Sequence, residues 1–144
     1  MEPRITQENL KSLPPDHIFV FGSNYAGRHG RGAAKTAVQK FGAKYGQGVG
    51  LMGQSYGIAT KGRKLEILTL DQINVQVQRF TRFATANPQL TFHVTQLGCG
   101  LAGFKPKQIA PFFVYAAKLP NVYLPKTFVD ILNPPALEEI APSI

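Results

Sequence analysis

The chain has little cysteine, no tryptophan and few acidic residues: one Cys, and eight Asp and Glu against sixteen Lys and Arg. One cysteine cannot form an internal disulfide, and Cys and His together are too few and too scattered for a structural zinc site. No apolar run approaches the ~20 residues of a membrane span, and Met1–Arg4 leads into polar residues rather than a signal peptide. We therefore expect a soluble cytoplasmic protein that needs no metal or cofactor.

The composition indicates a single globular domain over residues 1–144. Hydrophobic residues make up 44% of the chain and charged residues 17%, which excludes the low hydrophobicity and high charge of disordered proteins. A domain of this size buries roughly 70% of the surface that its unfolded chain exposes. We expect the core to span about residues 17–125. The proline-interrupted tail, 126–144, is either a short docked helix or a loose terminus.

Positive charge is concentrated in the first half of the chain. The net charge is +8, and no acidic residue lies between Asp16 and Glu66. The basic residues inside that stretch are Arg28, Arg31, Lys35, Lys40, Lys44, Lys61, Arg63 and Lys64. Such a field is either a solvated basic face or a means of attracting an anionic ligand or a polyanion.

The glycines are distributed just as unevenly. Eleven of the fourteen lie from Gly22 to Gly62 and the other three from Gly98 to Gly103. Glycine is used where the backbone needs a positive φ or where another group must approach the main chain closely. The two blocks therefore mark positions with special backbone requirements.

A strand, a glycine turn and a helix follow one another twice. The apolar run 17–21 predicts a buried strand that stops at Gly22, and the spacing of Ala34, Ala37, Val38 and Phe41 predicts a helix from Gly32. The β-rich segment 91–97 then runs into Gly98. A second helix is expected from Pro106, with Ile109, Phe112, Phe113 and Ala116 on one face.

The remaining elements complete an α/β pattern. Residues 55–60, 65–68 and 121–124 read as short strands. Thr69 and Gln72 form a capping box for a long helix that buries Ile73, Val77, Phe80 and Ala84 and ends at Asn87-Pro88. Alternating strands and helices predict a three-layer α/β/α fold with a central mixed, mostly parallel sheet. Ligands of such sheets bind at the carboxyl ends of the strands, where both glycine loops begin.

The chemistry of both loops favours a phosphate-bearing ligand. A helix N-terminus presents unsatisfied N–H groups and a positive dipole end, and glycines let an anion approach that backbone. Neither a Walker motif nor the dinucleotide fingerprint is present. The alternative is that the glycines only permit tight packing of helix on sheet. Two such loops at one edge could hold a diphosphate between them.

Fifteen residues are the candidates for contact with this ligand. They are Gly22, Ser23, Asn24, His29, Gly30, Arg31 and Gly32 in the first loop, Lys61 at a strand end, and Gly98, Cys99, Gly100, Leu101, Ala102, Gly103 and Phe104 in the second loop. Three have competing interpretations. His29 is a phosphate contact or a base, Cys99 is a small packed residue or a thiol activated by the helix start, and Lys61 is a ligand contact or a solvated strand terminus.

Three segments resemble the macro domain superfamily. Gly30-Arg31-Gly32-Ala33-Ala34 looks like its helix start, and Tyr56-Gly57-Ile58-Ala59-Thr60-Lys61 is similar to the Thr-Lys strand of its terminal ADP-ribose protein glycohydrolase branch. Leu97-Gly98-Cys99-Gly100-Leu101 resembles a loop shared by that branch and the DNA ADP-ribosyl glycohydrolase antitoxins. The resemblance covers residues 18 to about 124. The segment Phe21-Gly22-Ser23-Asn24 also resembles one found in phage-encoded proteins of this type. That resemblance implies that the protein is located in the cytoplasm of the host cell.

The resemblance implies binding of ADP-ribose, with the diphosphate between the loops and the distal ribose near Asn24 and Lys61. In the glycohydrolase branch the lysine acts with an aspartate that follows Gly-Cys-Gly-Leu. Lys61 matches the lysine and is the candidate catalytic residue, but Ala102 stands at the aspartate's position. The segment that places a carboxylate against adenine is also missing, so adenine selectivity does not follow.

These observations leave three candidate functions. The first is a module that binds ADP-ribose, a related nucleotide diphosphate or an ADP-ribosylated macromolecule. The second is an enzyme, an ADP-ribosyl glycohydrolase or a phosphatase, that uses Lys61 or His29. The third is nucleic-acid binding through the basic first half, whose affinity would fall steeply with salt. The missing aspartate favours the first.

Overall fold

The computed structural model describes residues 4–133 and contains one five-stranded sheet. The strands are β1 (His17–Asn24), β2 (Gly50–Met52), β3 (Ser55–Lys61), β4 (Thr91–Val94) and β5 (Val122–Tyr123), in the order β2-β3-β1-β4-β5. All neighbouring pairs are parallel except β2 with β3. The predicted α/β fold with a mixed, mostly parallel sheet is confirmed.

Helices lie on both faces of this sheet. In the described residues they are α1 (Gly32–Lys40), α2 (Leu70–Ala86), α3 (Pro106–Ile109) and α4 (Lys126–Leu132), with 3₁₀ turns at Ala110–Phe113 and Ala116–Lys118. Helix α1 packs with Phe19 and Phe21 on one face, and the others cover the opposite face. Residues 134–144 of the predicted tail lie outside the described residues.

Helix α2 forms where the local sequence predicts it. The Thr69 hydroxyl accepts a hydrogen bond from the Gln72 N–H at 3.2 Å, and the Gln72 side chain accepts one from the Thr69 N–H at 2.9 Å. This capping box satisfies two backbone donors at the helix start. The predicted apolar stripe of Ile73, Val77, Phe80 and Ala84 is fully buried against the sheet, which confirms the helical spacing.

Two of the predicted elements differ from the structure. Residues 65–68 do not form a strand: Leu65 has a φ of 62°, and Ile67 makes one isolated bridge to Lys61. That positive φ turns the chain away from the sheet. The helix predicted from Pro106 begins there, and Ile109, Phe113 and Ala116 are buried as expected, but α3 ends after one turn. Pro111 lacks an N–H and its ring crowds the preceding turn, so the chain continues as 3₁₀ helix.

Strand boundaries also differ at the end of the sheet where the glycine loops begin. β1 does not stop at Gly22, because Gly22 and Ser23 stay paired with Ile58 and Ala59 of β3. β4 ends at Val94 rather than Leu97. The short β2, with glycines on both sides, was not predicted. None of the helices within residues 4–133 has the length and apolar character to cross a bilayer.

Candidate functional site

A cleft of about 1130 Å³ lies where the carboxyl ends of β1, β3 and β4 meet the N-terminus of α1. This is the edge at which ligands of parallel sheets bind. Its lining is Gly22, Ser23, Asn24, Ala26, Arg28, Gly30, Arg31, Gly32, Ala33, Ala34, Tyr45, Gly46, Thr60, Lys61, Leu65, Thr95, Gln96, Leu97, Gly98, Gly100, Leu101 and Ala102. The volume is as large as that of typical small-molecule sites.

The loop after β1 is held in shape by Asn24. The Asn24 side-chain amide donates to the Arg28 carbonyl at 2.7 Å, and the Arg28 N–H donates back to Asn24 Oδ1 at 2.9 Å. Gly27, with a φ of 71°, donates its N–H to the Asn24 carbonyl at 3.0 Å. Asn24 therefore fixes the backbone of Arg28, and this use of its amide leaves the side chain few groups for a ribose.

A second segment, residues 44–49, supports this loop from behind. The Gly46 N–H donates to the Gly27 carbonyl at 3.0 Å, and the Ser23 hydroxyl donates to the Gly48 carbonyl. A Cβ on Gly48 would overlap the Asn24 carbonyl oxygen, and one on Gly27 would overlap the backbone of Gly46. These glycines are needed because backbone packs directly on backbone. For Gly27 and Gly48, tight packing is a sufficient reason for glycine.

The N-terminus of α1 opens into the cleft. Gly32, Ala33 and Ala34 line it, Arg31 at the N-cap makes no side-chain cap hydrogen bond, and no acidic residue occupies the first turn. The first N–H groups of a helix have no partner inside it and carry the positive end of the dipole. An anion in the cleft would provide the partner that the side chains do not.

Lys61 comes to the same edge from β3. Its carbonyl accepts the Tyr25 N–H at 3.0 Å, which joins the end of β3 to the loop after β1. With Arg28 and Arg31 it supplies three cationic side chains to the lining, whereas none of the described lining residues is Asp, Glu or His. The part of the cleft formed by residues 4–133 therefore has a positive potential and offers no carboxylate or imidazole for acid and base catalysis.

The second glycine loop forms the opposite wall. It is closed by its own backbone: the Phe104 N–H donates to the Gly98 carbonyl at 2.9 Å, and the Gly103 N–H to the Gly100 carbonyl at 3.0 Å. Gly98 has a φ of 79° and lies against Ile109. Because α3 has only four residues, its dipole adds little here. This loop offers backbone and shape rather than a helix start.

Eleven of the fifteen candidate residues line the cleft, and His29, Cys99, Gly103 and Phe104 do not. His29 is 1% exposed, its Nε2 is 2.8 Å from the Gln47 carbonyl, and its ring packs against Phe21. Burial raises the pKa of the Cys99 thiol to about 11, so the helix start does not activate it. His29 is thus enclosed by the protein, and Cys99 is half-buried against the core.

Several lining residues were missed by the sequence reasoning. Thr95, Gln96 and Leu97 reach the cleft because β4 ends early, and Thr95 donates its hydroxyl and its N–H to the Val20 carbonyl at 2.8 and 3.0 Å. Gly46 comes from the segment that supports the first loop. The sequence feature that could have pointed to that segment is the presence of four glycines and Lys44 within residues 42–50. Leu65 had no such signal.

The fold and this cleft define an α/β protein with a cationic site at the carboxyl ends of its parallel strands. A solved structure of a protein of unknown function from Bacteroides thetaiotaomicron is similar, with a TM-score of 0.55 and 17% identity over 76% of this chain and 86% of that one. At this identity the likeness concerns the fold alone. No protein-family model matches the chain, and no curated protein matches its sequence.

Proposed function

We propose that the cleft binds ADP-ribose or a related nucleotide diphosphate. The observation that carries the proposal is the joint placement of Arg28, Arg31 and Lys61 with the uncapped N-terminus of α1 in one cleft whose described lining has no acidic side chain. Charged donors and free backbone N–H groups are the groups that bind phosphate. The resemblance of the glycine loops and of the Thr60-Lys61 strand end to macro domains supports the ADP-ribose class.

The size and the remaining polar groups of the cleft support a ligand larger than phosphate alone. At about 1130 Å³ the cleft has room for a nucleotide with a second sugar. Gln96 adds an exposed amide to the lining, and the half-buried Thr95 hydroxyl, which donates to the Val20 carbonyl, keeps an oxygen that can accept. Hydroxyls and amides are suited to the uncharged hydrogen-bonding groups of a ribose.

The lining favours binding over hydrolysis. Ala102, which stands where the glycohydrolase branch has its aspartate, lines the cleft and is 7% exposed. Lys61 is consequently the candidate nucleophile without a carboxylate partner among the described lining residues. A nucleophilic lysine needs a lowered pKa or a neighbouring base. A role in sequestering or reading the ligand is therefore the first choice, with an ADP-ribosyl hydrolase as the alternative.

Calorimetric titration tests the proposal. We expect ADP-ribose and ADP to bind, and Lys61→Ala to weaken both by roughly tenfold to a hundredfold because a charged hydrogen bond is lost. Lys64→Ala is the matched control, since Lys64 is exposed, loses the same charge and does not line the cleft.

Absence of heat with every diphosphate would overturn the proposal. Turnover of an ADP-ribosylated substrate that Lys61→Ala abolishes would favour the hydrolase. Salt-sensitive binding of an oligonucleotide alone would favour the nucleic-acid alternative.

A further inference from the structure

Leu65 has a backbone conformation that leucine seldom adopts. Within residues 4–133, three residues other than glycine have a positive φ: Asn9, Asp16 and Leu65, at 55°, 66° and 62°. Asn and Asp tolerate this region because their short polar side chains can hydrogen-bond locally, whereas Leu brings its Cβ too close to the following carbonyl. Leu65 is thus the exception among the three.

The tight turn after β3 imposes this conformation. The Gly62 N–H donates to the Glu66 carbonyl at 2.8 Å, and the Leu65 N–H donates to the Gly62 carbonyl at 3.1 Å. The Lys64 N–H donates to a Glu66 carboxylate oxygen at 3.0 Å. The turn would form at least as well with glycine or asparagine at position 65, because both adopt a positive φ more readily.

Leu65 lies outside the hydrophobic core. Its side chain is 39% exposed and contributes to neither of the two hydrophobic clusters of the described residues. It lines the cleft instead. Residues held in unfavourable backbone regions concentrate at ligand sites, where the side chain is needed in that position.

A second exposed leucine lines the cleft and comes from the loop after β4. Leu101 is 62% exposed, also lines the cleft, and belongs to neither cluster. Leu65 follows β3 and Leu101 follows β4, and β1 runs between these two strands. The two apolar side chains therefore flank the loop that carries Arg28 and Arg31. The cleft combines a cationic centre with apolar edges.

We propose that Leu65 is a specificity-determining residue whose side chain contacts the nucleoside part of a nucleotide diphosphate. The inference rests on the proposed function, since it assigns the phosphates to the cationic centre and the apolar surface of the nucleoside to the edge at Leu65. It predicts that Leu65 distinguishes a nucleoside diphosphate from inorganic pyrophosphate. Leucine at position 65 would then be kept for recognition at some cost to stability.

Thermal unfolding and calorimetry of Leu65→Gly test both parts. Relief of the backbone strain is expected to raise the Tm by about 3 °C, and loss of the apolar contact to weaken ADP-ribose and ADP by roughly tenfold. Affinity for inorganic pyrophosphate should not change. Leu65→Ala should weaken the same two ligands without the rise in Tm. The control is Ile67→Ala, because Ile67 is 54% exposed and does not line the cleft.

The outcomes separate this inference from the function beneath it. If the unsubstituted protein binds none of the three probes, the proposed function fails and the role of Leu65 fails with it. If it binds ADP-ribose and Leu65→Gly binds equally well, the role of Leu65 alone is overturned. A lower Tm for Leu65→Gly would show that the leucine supports the fold, which also overturns it.

Discussion

The two glycine loops look alike in sequence but differ in what their glycines do. In the first loop and the segment behind it, a Cβ on Gly27 or Gly48 would overlap neighbouring backbone, whereas a Cβ on Gly100 or Gly103 in the second loop would meet no atom within 4 Å. The first loop is followed by a nine-residue helix and the second by a four-residue helix. Glycine therefore permits chain packing at Gly27 and Gly48, whereas at Gly100 it leaves backbone open to the cleft. Gly32 at the helix start is equally open, and Gly98 packs against Ile109.

This difference assigns separate roles to the walls of the cleft. In the first wall, Asn24 holds the backbone of Arg28, and hydrogen bonds from Ser23 to Gly48 and from Gly46 to Gly27 tie the loop to the segment behind it. This wall carries the cations and the helix start. The second wall, closed by its own turn, contributes accessible main chain at Gly100. Close packing of backbone on backbone thus explains Gly27 and Gly48, whereas the phosphate-binding interpretation of the other glycines stays a prediction.

The largest effect is expected from Gly48→Ala. The new methyl group would overlap the Asn24 carbonyl oxygen and push apart the first loop and its support, so we expect a loss of about 3 kcal/mol or more in the free energy of unfolding. Denaturant unfolding measures it. Gly100→Ala is the matched control, with an expected change of less than 0.5 kcal/mol. Equal stabilities of the two variants would abolish the distinction between the walls.

The same Gly100→Ala variant is expected to affect binding. Gly100 lines the cleft, its φ is outside the left-handed region, and its added Cβ has open space, so the fold tolerates alanine. A ligand that approaches this backbone would collide with the methyl group, and we expect affinity for ADP-ribose to fall roughly tenfold. Calorimetry checks it. Unchanged affinity would mean that the ligand stays on the first wall.

The smallest expected effect is a loss of stability at low pH. It concerns β1 and β4, the strands that lead into the two loops. His17 Nδ1 and His93 Nε2 are 2.8 Å apart on β1 and β4, and the His93 ring packs on Tyr123. Burial, and after it the neighbouring His17, lower the pKa of His93 to about 4. Since this pKa lies below its unfolded value of roughly 6.5, stability is lost as pH falls from there towards 4.

Partial solvent access to the histidine pair limits the loss to about 1 kcal/mol. Chemical denaturation at pH 7 and pH 4.5 measures it, with His93→Gln as the reference that lacks the titrating ring. If His93→Gln lost as much stability between pH 7 and pH 4.5 as the unsubstituted chain, the pH dependence would not come from His93. Because the pair joins β1 to β4, the strands that lead into the two loops, both walls should lose stability together.

Local signals explain most of what the sequence predicted correctly. The capping box at Thr69 and the stripe from Ile73 to Ala84 determine α2 within one segment, and both are visible without tertiary contacts. Residues 65–68 show the opposite case. Their apolar composition fits a strand, but the turn that positions Leu65 is decided by Gly62 and Glu66 and by the end of β3.

The candidate site was predictable in position more than in detail. Glycine turns after two buried strands place Lys61, Gly22 and Gly98 at one edge of a parallel sheet, which follows from topology. Whether His29 turns inward or towards the cleft depends on Phe21 and the Gln47 carbonyl, which are contacts that one-dimensional spacing does not contain. Likewise, Thr95 lines the cleft because β4 ends at Val94, and the sequence pattern did not predict that early end.

The central position of β1 has a consequence for how the cleft comes into being. Its neighbours are distant in the chain: residues 17–20 pair with 91–94, and residues 19–24 pair with 55–61. Contacts of such sequence separation close late in folding, because the loop entropy must be paid before they form. The cleft exists only when both pairings are complete. A ligand that recognises all three strand ends therefore selects the fully folded chain and should protect it from thermal unfolding and proteolysis.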